Sequence, residues 1–561
     1  MKKLLFALLQ AGRVSPSALS DRYVIVTNSG TKVWSAAWVV SIGVLLAYLI
    51  FPSRNYYWDG IQFALVIEST QGLSTSLLHP HHLLYNVFGY FIYQFTNAAG
   101  LHLRAVHVLQ ISNAILGASC AFVLSRLLLQ TFLSTYLSVV LTLLFSFSAT
   151  WWKYATDADS YIPSLLLLLV CLNLIVGAKK PRPLLLALLH SASMLMHQLA
   201  VFFYPVVVLG IYLKHSDLPV RRRALLILRY SASASILTLA VNYYCFHLHT
   251  GEFNLAAFAT WLTSYVRGPA SYSFSFALWN NITYTLGGQV KLFFGGRLNS
   301  LNGLISLPVI AVLGVLISIV CLAGFNIIQS ARGLSWPGSA AFKLDEKFKP
   351  LAALCFLWVG AYLIFLFFWY PYFTPYRIFY LPPLILLLAI VLAQHQVLRT
   401  YRRKLVAALL VAAVAMSNFL FFIFPQSRTE KNQPLTLALE MNQSWTPGTV
   451  IYYASPSADN ALFQYFNPST RWERLKVVSD RTLEDQVSRI YKSGASVWIA
   501  TSAFDRIQSS PDGSRWLSER TRPGHTRAIV NDAHRIIFVQ IFPSGGTTAA
   551  VKPLGETQGQ N

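Results

Sequence analysis

The chain has 561 residues, 55% of them hydrophobic and 12% charged, with a mean hydropathy of +0.49. A soluble domain cannot hide that much apolar surface, whereas a polytopic membrane protein need not, because lipid is its solvent. Of the formal charge of +23, residues 1–425 carry +20 (29 basic, 9 acidic) and residues 426–561 only +3 (15 basic, 12 acidic), which assigns the excess to membrane loops and argues against a nucleic-acid-binding domain.

Residues 1–33 open basic and then apolar. The apolar stretch is short and Arg13 follows closely, so an interfacial amphipathic helix fits better than a cleaved signal. Residues 34–425 form the membrane region, with eleven apolar segments near 34–51, 105–129, 133–150, 160–177, 184–198, 199–213, 224–247, 303–325, 350–370, 376–396 and 404–424. The fifth and sixth abut at Met196-His197-Gln198 and read as one hairpin or one kinked helix. Residues 83–95 are too short for a span and read as a helix half-sunk in the outer leaflet. Past residue 426 the pattern changes: Val450 to Tyr453, Ser496 to Ala500 and Arg535 to Phe542 read as strands, and 459–466 and 483–492 as helices, so residues 426–543 are expected to form a small α/β domain. The remainder, 544–561, is rich in Gly, Thr and Gln and reads as disordered. The expected fold class is thus a polytopic α-helical membrane protein with a small C-terminal α/β domain.

With the N-terminus cytoplasmic, 22 of the 29 Lys and Arg of the membrane region fall on the inner side, among them Lys179, Lys180 and Arg182, the triplet Arg221 to Arg223, and Arg399, Arg402, Arg403 and Lys404. That orientation puts the loops 52–104, 151–159 and 248–302 and the C-terminal domain on the outer, extracytoplasmic face. The five cysteines all lie inside apolar segments, with neither metal spacing nor a disulfide framework.

The outer loops hold the candidate chemistry. Asp59 lies in Tyr56-Tyr57-Trp58-Asp59-Gly60, where interfacial aromatics can desolvate a carboxylate and raise its basicity. The run His79-Pro80-His81-His82 can contact phosphate or substrate; three histidines in four residues cannot all face one way, which argues against a complete metal site from the run alone. Asp157 and Asp159 have a spacing that lets both carboxylates reach one divalent cation from an extended loop; the alternative is capping of the helix that starts near Tyr161 by Asp159 or Ser160. Arg377, in an aromatic, proline-rich outer corner, is suited to gripping phosphate, or else snorkels to lipid headgroups. Lys291 and Arg297 are weaker candidates for the same task.

Taken in order and by side of the membrane, Asp59 with Gln62-Phe63, His79-Pro80-His81, Trp152-Lys153-Tyr154 followed by Asp157 to Tyr161, and Tyr376 to Pro383 resemble the GT-C glycosyltransferases, and within them the branch of protein O-mannosyltransferases and their uncharacterised bacterial relatives. The likeness covers roughly residues 34–215, and Gln62 stands where that branch has Glu. The resemblance implies sugar transfer from a polyprenyl-phosphate-linked donor at the outer face to a protein, glycan or lipid acceptor. It implies Asp59 as catalytic base with inversion, a second acidic site at Asp157 and Asp159, and phosphate or substrate contacts from His79, His81, His82 and Arg377. A divalent cation at the second acidic site stays open. The competing readings are a flippase for lipid-linked saccharide, which asks for ionisable residues in mid-span, and a non-catalytic scaffold, which leaves the outer acids and histidines unexplained.

Overall fold

The computed structural model describes residues 30–264, 274–295, 344–454, 458–475, 480–508, 511–520, 528–530 and 536–542. The expected span 303–325, the N-terminal segment before residue 30 and the tail from 543 lie outside them. The chain forms two compact units, one of residues up to 53 and 66–425, the other of residues 54–65 and those from 426 onward.

The first unit is helical. In chain order its elements are α1 (Gly30–Ile50), the end of α2 (Trp58–Ser69), α3 (Leu83–Ala98), α4 (Ala105–Phe132), α5 (Thr135–Ser146), α6 (Ala149–Ala155), α7 (Tyr161–Gly177), α8 (Pro183–Met196), α9 (Tyr204–Lys214), α10 (Val220–Thr250), α11 (Leu255–Leu262), α12 (Leu278–Phe293), α13 (Lys349–Phe368), α14 (Leu381–Gln394) and α15 (Tyr401–Asn418). Among the described residues five helices are long and apolar enough to cross a bilayer, and a sixth span results if α5 and α6, bent by 70°, count as one. Shorter apolar helices occupy 34–50, 161–177, 183–196 and 198–214. These are the helices of a multi-pass membrane protein. Residues 83–98 are helical, as the pattern suggested.

Local chemistry sets the boundaries. Glu68 caps α4: its carboxylate accepts from the Ala105 N–H at 2.7 Å and pairs with Arg104 at 2.9 Å. Leu133 closes α4 in the left-handed region, and the Ser134 side chain then caps α5 by accepting from Leu137 N. Helices α8, α9, α13 and α14 each carry proline in their first turn, where the missing N–H costs nothing. At the α5–α6 bend, Asn418 is fully buried; its Nδ2 donates to the Phe147 and Phe293 carbonyls at 2.8 and 2.7 Å, and its Oδ1 accepts from Gly295 N at 3.0 Å. Backbone groups released by the bend thus find partners inside the bundle, as an apolar surrounding demands.

Helix α4 is central and packs on α1, α5 and α7. The α8–α9 pair resolves as a hairpin. Ser193, late in α8, bonds Ser164 at the start of α7 at 2.9 Å, while Lys214, at the end of α9, donates to the carbonyl of Val176 at the end of α7 at 2.7 Å. Helix α8 therefore runs against α7 and α9 runs with it, and the chain reverses at His197, whose backbone is extended. Gly210 permits the close approach of α9: a Cβ there would lie 2.6 Å from Ile175.

The second unit contains a five-stranded mixed sheet in the order β2-β1-β3-β5-β4, from β1 (Val450–Tyr453), β2 (Arg471–Arg474), β3 (Val497–Ala500), β4 (Ala528–Val530) and β5 (Ile536–Ile541). Strand β1 is parallel to β2 and β3, whereas β5 is antiparallel to β3 and β4. Period-two alternation divides the side chains: Val450, Tyr452, Val497, Ile499, Val539 and Ile541 join one core, while Trp498 and Phe538 meet Trp445 on the other face. Strands β2 and β4 were not foreseen from sequence, because Arg471-Trp-Glu-Arg is charged and β4 spans only three residues. Residues 54–65 are tied to this unit: Arg54 N donates to the Gln426 carbonyl at 2.7 Å, Asn432 donates to the Arg54 carbonyl at 2.6 Å, and Tyr56 lies against Phe466 at 5.9 Å.

Candidate functional site

Asp59 stands in the first turn of α2, next to Trp58, so the helix N-terminus favours its charge locally. It is half-buried, and no hydrogen bond or ion pair holds its carboxylate among the described residues. Burial pushes its pKa up to about 6. A carboxylate so tuned accepts a proton near neutral pH far better than an ordinary aspartate does.

The histidine run divides its three rings. His79 is exposed. His81 is buried, with Nδ1 at 2.8 Å from Gln198 Oε1. His82 turns to Ser160, with 2.8 Å between Nδ1 and Oγ, and its ring lies 4.9 Å from that of His197. Burial, with His79 adding repulsion, lowers His81 to about 4; burial and the neighbouring His197 hold His82 well below the ordinary histidine value. Both rings are neutral at pH 7, so any contact they make with a phosphate lacks a resident positive charge.

The second acidic site differs from the extended loop expected. Every residue from Trp151 to Leu165 is buried, and the turn between α6 and α7 is an internal feature. Asp157 pairs with Lys153 one helical turn earlier, Oδ2 to Nζ at 2.6 Å, and its Oδ1 accepts from Ala158 N. Lys153 also donates to Ser53 Oγ at 2.6 Å. Asn113, fully buried on α4, donates to the carbonyls of both Asp157 and Asp159 at 2.8 and 2.7 Å. Asp159 Oδ1 accepts from Ser160 N at 2.6 Å, one residue on, and Ser160 makes no cap bond to α7. Neither the open two-carboxylate site nor the simple helix cap is formed. Among the described residues no three His, Cys, Asp or Glu side chains are grouped so as to hold a metal ion.

Arg377 is fully buried, which removes the headgroup-anchor reading. Its Nη1 donates to Tyr380 Oη at 3.0 Å, and its Nη2 donates to the Pro371 and Tyr284 carbonyls at 2.5 and 3.4 Å. Nε has no hydrogen-bond partner, and no carboxylate pairs with the guanidinium among the described residues. Gly288 on α12 makes room for it: a Cβ there would sit 2.1 Å from Nε. Lys291 is exposed in the last turn of the same helix. Arg297 lies outside the described residues.

Three of the motifs converge through His197, which sequence reading noticed only as a hinge. Its ring lies 4.9 Å from His82, 5.0 Å from Tyr161, 5.9 Å from Tyr376 and 5.1 Å from Phe379. The histidine run, the start of α7, the α8–α9 reversal and the 376–379 corner therefore share one buried aromatic cluster. The one clue available from sequence was a His-Gln pair in the middle of an apolar stretch.

No family model matches the chain, and no curated protein does. Solved structures do. ArnT from Cupriavidus metallidurans bound to undecaprenyl phosphate matches over 92% of this chain and 98% of its own, with a TM-score of 0.57 and 11% identity. The apo state of that protein matches over 91% and 98%, with a TM-score of 0.56 and the same 11% identity. The Saccharomyces cerevisiae protein O-mannosyltransferase Pmt1-Pmt2 complex bound to its sugar donor covers 42% of this chain and 35% of its own at a TM-score of 0.32 and 10% identity, too low to bear on the fold. The ArnT likeness extends over nearly the whole of both chains and shows that this chain has the fold of ArnT.

Proposed function

We propose that this chain is a membrane glycosyltransferase that moves a sugar from a polyprenyl-phosphate-linked donor to an acceptor hydroxyl at the outer face, with the N-terminus cytoplasmic and the C-terminal domain extracytoplasmic. The observation that carries the reading is Asp59, a carboxylate with no hydrogen bond or ion pair among the described residues and with its pKa raised to about 6, in the expected first outer loop of a chain with the fold of ArnT, which is known bound to undecaprenyl phosphate. In the reaction the acceptor oxygen attacks the anomeric carbon, its proton passes to Asp59, and the bond from that carbon to the phosphate oxygen breaks. One displacement with one base inverts the configuration. The polyprenyl phosphate is already a good leaving group and needs charge stabilisation more than a proton. Arg377 is the residue assigned to it, since its guanidinium is buried with no carboxylate beside it among the described residues, and buried charges are usually paired. Lys291 and Arg297 are held in reserve for that role. The acceptor class stays open among protein, glycan and lipid.

Native mass spectrometry of the purified protein tests the reading. A co-purifying polyprenyl phosphate, or its glycosylated form, is expected, with transfer of sugar when an acceptor extract is supplied. A preparation that holds no such lipid and transfers nothing from added polyprenyl-phosphate sugars would reject it.

A further inference from the structure

Asp59 lies in a segment that belongs to the C-terminal unit. Residues 54–65 group with those from 426 onward, and α2, which begins in that segment, ends in the first unit. Three contacts fasten the segment. The backbone N–H groups of Arg54 and Asn55 both donate to the Gln426 carbonyl, at 2.7 and 3.2 Å. The Arg54 carbonyl accepts from Asn432 Nδ2 at 2.6 Å, across 378 residues of chain. The Tyr56 ring, to whose Oη Arg54 Nη1 donates at 3.2 Å, lies 5.9 Å from the ring of Phe466, the last residue of the helix Ala458–Phe466. Asn432 does two things at once. Its Oδ1 accepts from Leu435 N at 3.2 Å and caps the helix Gln433–Ser444, while its Nδ2 holds Arg54. A carbonyl only accepts and a backbone N–H only donates, so chemistry assigns both edges of this buried amide.

We propose that the C-terminal unit positions Asp59, with Asn432 as the positioning residue that ties the segment bearing the base to the cap of Gln433–Ser444. Only Tyr57 and Trp58 separate Asp59 from Tyr56, and each residue carries the chain by at most about 3.6 Å. The anchors therefore limit where the start of α2 can lie. The Asp59 carboxylate has no hydrogen bond or ion pair of its own among the described residues, so its placement comes from the backbone. The other end of α2 is fixed separately: Glu68 holds Arg104 at 2.9 Å and Ala105 N at 2.7 Å. A general base works only within hydrogen-bond reach of the proton it takes, and a misplacement of about 1 Å can cost about a hundredfold in rate. A unit that carries the base as part of its own fold thus sets the rate without touching substrate. The role presupposes that Asp59 is the base of the proposed reaction.

The test uses the full chain in nanodiscs. Asn432→Ser keeps an oxygen to cap Gln433–Ser444 and is too short to hold Arg54. Amide hydrogen exchange across 54–60 should speed up about fivefold, the worth of one neutral hydrogen bond, and stay unchanged across 433–444. Unaltered exchange at 54–60 overturns the anchor. Carboxyl-¹³C aspartate, with Asp59→Asn assigning the resonance by subtraction, then follows the base itself. Asp59 should titrate near 6 in the wild type and about a unit lower in Asn432→Ser, because a loosened segment admits water to the carboxylate. An unshifted titration overturns the positioning role. Phe466→Ala reaches the segment from its aromatic contact, leaves the cap intact and covers the case in which Asn432→Ser does not fold; it should move both readings the same way, and no movement overturns the proposal. Where transfer from an added polyprenyl-phosphate sugar is measurable, Asn432→Ser should lower kcat about tenfold and leave KM for that donor unchanged; an unaltered kcat also overturns the role. A wild-type chain that transfers nothing counts against the proposed function, whereas exchange and titration decide the anchor without turnover.

Discussion

Two acidic regions looked alike in the sequence and differ in the structure. In the sequence, Asp59 and the Asp157–Asp159 pair both fall in expected outer loops beside Trp and Tyr, and both are rare acids in an apolar chain. Among the described residues no hydrogen bond or ion pair holds the Asp59 carboxylate, and burial raises its pKa to about 6. Asp157 is fully buried, but Lys153 stands 2.6 Å away and neutralises it. A charge left unpaired becomes basic, while a paired one becomes a fastener. The acid that costs the fold something is therefore the better candidate for chemistry.

The largest test of that contrast is Asp59→Asn. Transfer should fall by about two to four orders of magnitude, the usual worth of acid–base help, with donor lipid still bound in native mass spectrometry. The thermal midpoint should hold or rise at pH 7, because an unfavourable charge is removed; near-normal turnover would return Asp59 to an ordinary loop aspartate. On the other side of the comparison, Lys153→Met strands a buried carboxylate and should cost about 3–5 kcal/mol in denaturant or thermal unfolding. The double change Lys153→Met with Asp157→Leu should recover most of that loss; if it recovers none, Asp157 does more than neutralise Lys153.

Arg377→Ala should cost about 3 kcal/mol of stability, from lost packing and from the Pro371 carbonyl left without its donor. A snorkelling arginine would cost almost nothing, so a circular-dichroism melt separates the two. Arg377→Lys retains the charge but loses the planar fork, and should weaken donor-lipid binding while preserving more of the fold.

The smallest effect is on pH dependence. The folded pKa of Asp59 is raised above the unfolded value near 4, so between about pH 4 and the folded value of about 6 the native state binds more protons than the unfolded one. Stability should fall slightly as pH rises through that window and level off above it. Activity should run the other way, dropping about tenfold per unit below about 6 as the base is protonated. Asp59→Asn should abolish that component of the stability slope, which chemical unfolding at pH 4.5 and 7 would read as about a small fraction of the total.

Much of the architecture was legible because hydrophobic periodicity and loop charge act locally: a run of apolar residues must be helical in lipid wherever its neighbours lie. The helices at 105–132, 161–177, 349–368 and 401–418 follow from their own sequences. The division of labour among His79, His81 and His82 was foreseen only as an impossibility of facing one way; the partners were not, because Gln198 and Ser160 are 117 and 78 residues distant. Glu68 as the cap of α4 was missed for the same reason, its partner Ala105 being 37 residues on. The choice between phosphate grip and snorkelling for Arg377 is not legible in the sequence, because only the packing of α12 at Gly288 encloses the side chain.

By itself, the sequence determined a multi-pass helical fold followed by a small α/β domain, and it marked Asp59 as a rare acid among aromatics. Tertiary structure alone decided that Lys153 neutralises Asp157, that His81 and His82 turn to Gln198 and Ser160, and that Arg377 is buried. The physical reason is range: apolar burial and positive charge act residue by residue along the chain, while hydrogen bonds and ion pairs act over about 3 Å and join whatever residues the fold brings together.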